Sequence, residues 1–519
     1  MKNKSISIFE KFDIPIIIIS FVLTLAVVIS TVLNPQGTID VADAFYSIVT
    51  EVFGAPILIF VFICALLCMW IGLSKYGNIR LGNSKPEFST FSYIAMMTCS
   101  GFGSGTIYWA FMESASYITA PPFGAEPYTA QAADWAIAYN FHHWGPIAWC
   151  MFCIASLPIA YAYHVRKSPT LRVSEICSTF VSKKYSKLMA KFVDYVYILS
   201  TIAGIAFFVA LSAPVISAIL SSYTGIEDGF ALSGGIVIVV SIIYTVSSYM
   251  GVEKGMKKLS DIGIYLTIIF FVATILLGDS LFIMNQTTSG IAMFMQNVIS
   301  MCLYTDAVGQ GGFPQDWTVF FWSYWLIYAP FMGVFVAKIS KGRTLREVVG
   351  CMVIGGGLGT GIFLAALNSF SLNLQFTGQV DMAKMLADGQ GTEAIVAALS
   401  TIPFGNIIMV ILSVCMLILM ATTLDGSAFA LATNAQKTGK SSQLLRVFWC
   451  VSLTLLPLAL MYVDAPVNTL QTCTLIFSIP IIIILFIMIR AFFKSLKEDF
   501  GDKTSTEIID ENRVLEIKN

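Results

Sequence analysis

Four large aromatic side chains crowd a short stretch of the chain. Trp322, Tyr324, Trp325 and Tyr328 lie close in sequence, and in a helix the pairs 322/325, 325/328 and 324/328 are neighbours. A second aromatic stretch, 141–149, contains Trp144. A quaternary ammonium ion offers no N–H donor, but ring faces attract it by roughly 0.5–2 kcal/mol each. These five rings therefore predict a box for a methylated cation.

A membrane-surface role is the alternative explanation for these rings. Trp and Tyr collect at both lipid–water interfaces. That explanation suits Trp317, which we place at the outer end of its helix. It suits Trp325 and Tyr328 poorly, because they lie about two to three helical turns further in.

The composition requires that these rings sit in a membrane protein. Of 519 residues, 57% are apolar and 12% are charged, whereas a soluble domain has about 25% charged residues. The mean hydropathy is +0.79. A net charge of −1 provides no basic field for nucleic acid. Three histidines without an HExxH motif predict no metal centre. Most of the 11 cysteines lie in apolar runs as small hydrophobes, including the CxxC pair Cys150 and Cys153.

Twelve segments are long and apolar enough to cross a bilayer as helices. They lie near 14–33, 52–73, 90–118, 134–163, 192–220, 232–250, 259–284, 316–338, 347–371, 403–434, 444–463 and 466–489. The first has no small-residue cleavage site and is predicted to remain as an anchor. The amphipathic stretch 291–303 is predicted to lie along the surface.

The basic residues predict the orientation. Of the 30 Lys and Arg residues, 29 fall at the termini or in alternate loops, and Lys384 alone falls on the other side. Basic loops stay cytoplasmic, so both termini are predicted to be cytoplasmic in a multi-pass protein of the cell membrane. The tail from Lys497 to Asn519 is charged and is predicted to be loose.

Two spans carry residues that interrupt helices. Gly101, Gly103 and Gly105 in span three each weaken a helix by roughly 1 kcal/mol relative to Ala, and Pro330 lies in span eight. Such breaks mark the substrate site of transporters built from inverted repeats. Close helix packing is the alternative for span three, and it is favoured for the glycines of 355–361 in span nine.

This spacing predicts five spans repeated after two extra helices. The division is 1–13 as N-terminus, 14–89 as two extra helices, 90–284 as first repeat, 285–315 as external amphipathic helix and loop, 316–489 as second repeat, and 490–519 as short cytoplasmic tail.

Several motifs resemble the betaine/choline/carnitine transporter family over all twelve spans. They are WSYWLIY at 322–328, GGFPQDWTVF at 311–320, KGRTLR at 341–346, PPFGAEP at 121–127 and HWGP at 143–146. The resemblance implies an all-α, leucine-transporter-like 5+5 inverted repeat, a homotrimer, and box positions at Trp144, Trp322, Trp325 and Tyr328. Tyr324 stands where the family usually has Trp, and Ser116 where carnitine-type members have Tyr.

The resemblance leaves the coupling ion open. The loop motifs and Met332 are similar to the carnitine exchangers, which need no ion. The glycines of span three match the sodium-coupled betaine carriers, and Gly263 stands where exchangers carry an Arg. Thr422 and Thr423 resemble the hydroxyl pair of a sodium site, with back-bonding to their own helix as the alternative.

Asp425 and Glu113 are acidic residues within predicted spans. A charged group there is a functional-site hypothesis by default. Asp425 serves a functional site or caps a helix break. Glu113 lines the outer part of the substrate site or joins helices. His142 and His143 are placed near the outer face rather than on a metal.

The sequence thus predicts a secondary transporter of trimethylammonium carboxylates such as glycine betaine, carnitine or γ-butyrobetaine, working by alternating access. Sodium-coupled uptake is favoured, with ion-independent exchange as the alternative and an ion channel as a remote one. No cofactor besides Na⁺ is expected. An enzyme is not expected, because no nucleophile–base pair or metal motif is present.

Overall fold

The computed structural model describes residues 12–101, 103–178, 181–250, 253–436 and 442–517. Nearly all of the predicted N-terminal segment 1–13 lies outside the described residues, as do Lys437, Lys440 and Lys518 of the orientation argument.

The described residues form a helical membrane protein, with helices at all twelve predicted ranges. Span one is Ile14–Leu33, span two Gly54–Leu73, span three Thr90–Gly101 with Thr106–Tyr117, span four Ala130–Trp144 with Pro146–His164, span five Lys183–Thr224, span six Phe230–Met250, span seven Glu253–Leu277, span eight Phe320–Ile339, span nine Gly357–Thr377, span ten Gly405–Asn434, span eleven Gln443–Tyr462 and span twelve Val467–Phe500.

Shorter elements connect these spans. They are Pro35–Ser47, Val173–Ser178, Ser280–Cys302, Leu345–Val349, Met382–Ala387, Gly391–Ser400 and Ser505–Ile517, with π-helical turns at Ile48–Val52, Pro314–Val319 and Gly350–Gly356 and a 3₁₀ turn at Lys75–Asn78.

The all-α membrane architecture is confirmed. Nine helices in the described part of the chain are long and apolar enough to cross a membrane, or ten if a bent pair counts as one span. Spans three, six and seven are not among these nine helices. Span three is divided into two short helices, the apolar part of span six is short, and span seven belongs to the bent pair. The count of twelve therefore stays a prediction.

The predicted interruption of span three is present. Its first half ends at Gly101 and its second half begins at Thr106. An added Cβ at Gly103 would lie 1.7 Å from the Phe208 ring of span five, so this position also requires glycine for close packing. Span four is interrupted as well, at Gly145.

The predicted break of span eight at Pro330 is wrong. One helix runs without interruption from Phe320 to Ile339, with Pro330 inside it. A membrane helix can absorb the lost N–H of a proline when neighbouring helices satisfy the freed groups. Next to Pro330, an added Cβ at Gly333 would lie 2.8 Å from Ile159 Cδ1, so this segment packs closely on span four.

Four of the five glycines of 355–361 serve packing, as predicted, and Gly359 is the exception. An added Cβ would lie 2.6 Å from the Trp149 ring at Gly356, 2.7 Å from Pro146 Cα at Gly357 and 2.9 Å from the Phe141 ring at Gly361. Span nine therefore lies directly against the interruption of span four.

The amphipathic stretch belongs to a longer helix, Ser280–Cys302, that bends by 109° from Asp261–Leu277 of span seven. One face is exposed at Met284, Met295 and Ile299. The other packs on span four, where an added Cβ at Gly290 would lie 2.3 Å from Ile137 Cγ2.

The prediction of a loose tail is wrong for the residues that are described. Helix Ser505–Ile517 follows span twelve after a short turn. Asn512 Nδ2 donates to Asn78 O at 2.8 Å, and Lys75 Nζ donates to the carbonyls of Gly501 and Lys503 at 2.7 Å each. The charged composition of the tail favoured a solvated segment, but the Gly501 and Lys503 carbonyls accept from Lys75 of the loop after span two.

Candidate functional site

Four of the five predicted rings form one buried cluster. The Trp144 ring centroid lies 5.7 Å from that of Trp325 and 6.0 Å from that of Tyr324. Tyr324 lies 6.5 Å from Trp325 and 5.2 Å from Tyr328. All four side chains are 9% exposed or less, so the cluster lies inside the protein and not at a lipid interface. We call Trp144, Tyr324, Trp325 and Tyr328 the ring box.

Three rings of the ring box are held by hydrogen bonds. Trp144 Nε1 donates to Glu113 Oε2 at 2.8 Å. Trp325 Nε1 donates to the His143 carbonyl at 2.8 Å, and the Tyr328 hydroxyl donates to the Gly204 carbonyl at 2.6 Å. Each bond lies at a ring edge and therefore does not occupy a ring face, the part of the ring that attracts a cation.

Trp322 does not join the ring box. Its ring packs on His142 at 4.9 Å and on His143 at 5.7 Å, and no contact with the four box rings is present among the described residues. The i,i+3 rule correctly puts residues 322 and 325 near each other on the helix surface. It does not decide toward which neighbouring helix each ring turns.

Further aromatic rings enclose the ring box. Phe152 of span four lies 4.6 Å from Trp325, and Phe207 of span five lies 5.5 Å from Tyr324. Trp149 lies 6.0 Å from Trp325 and donates to Thr360 Oγ1 of span nine at 2.8 Å. The two phenylalanines were missed because a lone Phe in an apolar run carries no signal of its own.

Glu113 lies beside the ring box in a buried hydrogen-bonded network. Its Oε1 accepts from the Tyr117 hydroxyl at 2.5 Å and lies 3.1 Å from His143 Nδ1. His143 Nε2 lies 3.2 Å from Thr318 Oγ1 at the start of span eight. His142 and His143 are both fully buried. The described residues contain no group of side chains that could hold a metal ion.

Ser116 lies apart from this network. It is half-buried near the end of the second half of span three, and its hydroxyl donates to the Met112 carbonyl of its own helix at 3.4 Å. No side-chain bond from Ser116 to the ring box is present in the described part of the chain.

The interrupted segment of span three contacts spans five and eight. Ser104 Oγ donates to Ser212 Oγ of span five at 2.7 Å, and an added Cβ at Gly105 would lie 3.2 Å from the Phe208 carbonyl oxygen. An added Cβ at Gly101 would lie 3.5 Å from Met332 Cε. Met332 thus lies beside the first half of span three, and its part in a possible sodium site stays a prediction.

The two threonines of span ten differ. Thr422 Oγ1 donates to the Leu419 carbonyl of its own helix at 3.0 Å. This is the back-bonding that was the alternative to a sodium site. Thr423 is 6% exposed, and its hydroxyl has no hydrogen-bond partner among the described residues. At Gly263, an added Cβ would lie 3.0 Å from Ile418 Cγ2, so span seven packs closely on span ten there.

Asp425 does not cap a helix break, because span ten is continuous from Gly405 to Asn434. Its carboxylate pairs with Arg446 Nη2 of span eleven at 3.5 Å. The ion pair compensates a buried charge near one end of the helix, which accounts for an acidic residue in this span.

Comparison with known proteins identifies the family. Residues 15–501 match the family described as "BCCT, betaine/carnitine/choline family transporter". The chain belongs to this family. As a betaine/carnitine/choline family transporter it is a multi-pass membrane protein that carries a small molecule, and not an enzyme.

Two relatives of this betaine/carnitine/choline family transporter agree with the assignment. A carnitine transporter of Acinetobacter baumannii is 32% identical over 480 residues, which are 92% of this chain and 87% of the relative. The uncharacterized transporter YeaV of Escherichia coli K12 is 31% identical over 440 residues, 84% of this chain and 92% of YeaV.

A solved structure of a Na⁺-coupled sialic acid symporter also matches, with a TM-score of 0.44 and 11% identity over 89% of this chain and 96% of the symporter. A match this weak carries no conclusion about coupling.

Proposed function

We propose that this transporter carries trimethylammonium carboxylates, of the kind of carnitine, γ-butyrobetaine and glycine betaine, by alternating access. The observation that carries the proposal is the ring box, four buried rings with three of them fixed at their edges. Ring faces suit a cation that has methyl groups and no N–H donor. The relative named a carnitine transporter supports the same substrate class.

The carboxylate end of such a substrate needs a separate partner. We infer that it meets the backbone of the interrupted segment 103–105, which precedes the helix starting at Thr106. The N-terminus of a helix carries partial positive charge that favours an anion. Phe208 packs on this segment and is expected to limit the length of substrate that fits.

The first prediction tests the ring box. Trp325→Leu should abolish saturable uptake of radiolabelled carnitine, γ-butyrobetaine and glycine betaine into proteoliposomes, because it removes a ring face at the centre of the box. Trp70→Leu is the matched control, since Trp70 is 47% exposed on span two, and it should transport normally. Uptake by Trp325→Leu at the wild-type rate and KM would contradict the proposal.

We further propose that uptake is coupled to sodium. Sodium takes hard oxygen ligands, and the buried Thr423 hydroxyl lacks a hydrogen-bond partner in the part of the chain that the structure describes. Ion-independent exchange is the second candidate, because Met332 lies beside Gly101, as the resemblance to the carnitine exchangers implies, and the Thr422 hydroxyl donates to a carbonyl of its own helix.

The second prediction separates these two mechanisms. In proteoliposomes without preloaded substrate, a sodium gradient should drive uptake, and Thr423→Val should weaken that response while Thr422→Val has a smaller effect. Counterflow of preloaded substrate at full rate in sodium-free buffer would exclude symport and establish exchange.

Orientation and assembly are proposed on other grounds. The distribution of Lys and Arg supports cytoplasmic termini, and the resemblance to the family supports a homotrimer.

A further inference from the structure

We propose that Glu113 does not contact the substrate and instead positions the ring of Trp144. The inference deepens the proposed function, since it concerns how the ring box is held. A carboxylate beside a cation site would ordinarily be assigned as the counter-ion of the cation. The contacts of Glu113 point to another role.

Both carboxylate oxygens of Glu113 already serve the protein. Oε1 accepts from the Tyr117 hydroxyl at 2.5 Å and lies 3.1 Å from His143 Nδ1, while Oε2 accepts from Trp144 Nε1 at 2.8 Å. The side chain is fully buried. A buried carboxylate needs such partners, and a substrate that bound it directly would have to compete with them.

The bond to Trp144 determines where that ring points. The indole has one N–H, at its edge, and only one direction places it on Glu113 Oε2. In this orientation the ring lies 5.7 Å from Trp325 with the two planes at 67°. Without Glu113 the N–H would be buried and unpaired, and the ring would turn toward another acceptor.

His143, the residue before Trp144, holds the ring of Trp325. The carbonyl of His143 accepts from Trp325 Nε1 at 2.8 Å, and the His143 imidazole lies between Glu113 and Thr318 Oγ1. The last two residues of the first half of span four therefore connect spans three and eight. The Trp144 carbonyl accepts from Thr360 Oγ1 at 2.5 Å, so span nine also holds these two residues in place.

A double-mutant cycle tests this role, as the third prediction. Glu113→Met, which has no carboxylate or amide oxygen to accept from Trp144 Nε1, and Trp144→Phe should each raise the KM for carnitine by about five- to tenfold, the effect of one lost buried hydrogen bond, with a smaller change in the maximal rate. Because Phe keeps a ring but has no N–H, adding Glu113→Met to Trp144→Phe should change KM by less than about twofold.

Two controls keep the result specific. Met112→Leu, a volume-conserving change at the fully buried neighbour of Glu113, should leave KM unchanged. The thermal unfolding midpoint of every variant in detergent shows whether the protein is folded. Quenching of tryptophan fluorescence by carnitine gives an independent measure of binding.

The failures can be told apart. Equal KM increases from Glu113→Met in the wild-type and Trp144→Phe backgrounds would show that Glu113 does not act through Trp144 and would overturn this inference alone. Normal uptake by Trp325→Leu would overturn the ring box, and the positioning role with it. Loss of uptake by Trp325→Leu with non-additive effects at Glu113 and Trp144 would support both.

Discussion

Three residues of the ring box are held in the same way, by one polar atom at the edge of a large ring. Trp144, Trp325 and Tyr328 each donate one hydrogen bond, and their acceptors belong to three different spans. Buried Trp and Tyr nearly always find such a partner. The rings are thus ordered before the substrate arrives, which lowers the entropy that binding has to overcome.

The residue scale also shows why Trp322 was misplaced in the box. Its type and spacing match those of Trp325, and a helical projection cannot separate the two. They differ in the acceptor: Trp325 Nε1 donates to the His143 carbonyl, whereas Trp322 packs edge to face on His142 and its Nε1 has no partner within the described residues. Acceptors are supplied by other helices, which the local sequence does not specify.

Among the elements, span nine gives the fourth prediction. Gly356→Ala should lower the free energy of unfolding by about 1–3 kcal/mol, as overpacking does, because its Cβ would lie 2.6 Å from the Trp149 ring. Gly359→Ala is the matched control: nothing lies within 4 Å of its added Cβ. The helix preference for Ala should there raise stability by up to about 1 kcal/mol.

Thermal unfolding in detergent, followed by tryptophan fluorescence, measures both variants. Equal midpoints for Gly356→Ala and Gly359→Ala would contradict the close approach of spans four and nine. A lower midpoint for Gly356→Ala alone is the expected outcome.

Elements that depend on local sequence were predicted well. Apolar length located the helices, and the three alternating glycines located the interruption of span three, because both effects act within one segment. Pro330 was misjudged because a proline's effect depends on what packs around it, and Gly333 places span four there. The interruption of span four at Gly145 was not predicted, since one glycine before a proline is weak by itself.

At the scale of the whole molecule, the loop after span two contacts the last described helix. The 3₁₀ turn Lys75–Asn78 follows span two, and the final helix Ser505–Ile517 follows span twelve. Besides the bonds of Lys75 and Asn512, Asn78 Nδ2 donates to Ser505 Oγ at 2.7 Å. Separately, Arg166 pairs with Glu498 at 2.7 Å and Asp499 at 2.8 Å. Such contacts were beyond sequence reasoning because they join residues more than 300 positions apart.

The fifth prediction concerns this contact. Lys75→Met removes the donor to the Gly501 and Lys503 carbonyls, so amide hydrogen exchange over residues 505–512 should accelerate by about tenfold, the worth of a charged hydrogen bond at a partly exposed site. Lys494→Met is the control, because Lys494 is 70% exposed and only pairs with Glu498 at 3.8 Å. Unchanged exchange in Lys75→Met would show that the final helix is held by its other contacts. Faster exchange in Lys75→Met, with Lys494→Met at the wild-type rate, would show that Lys75 stabilises the final helix.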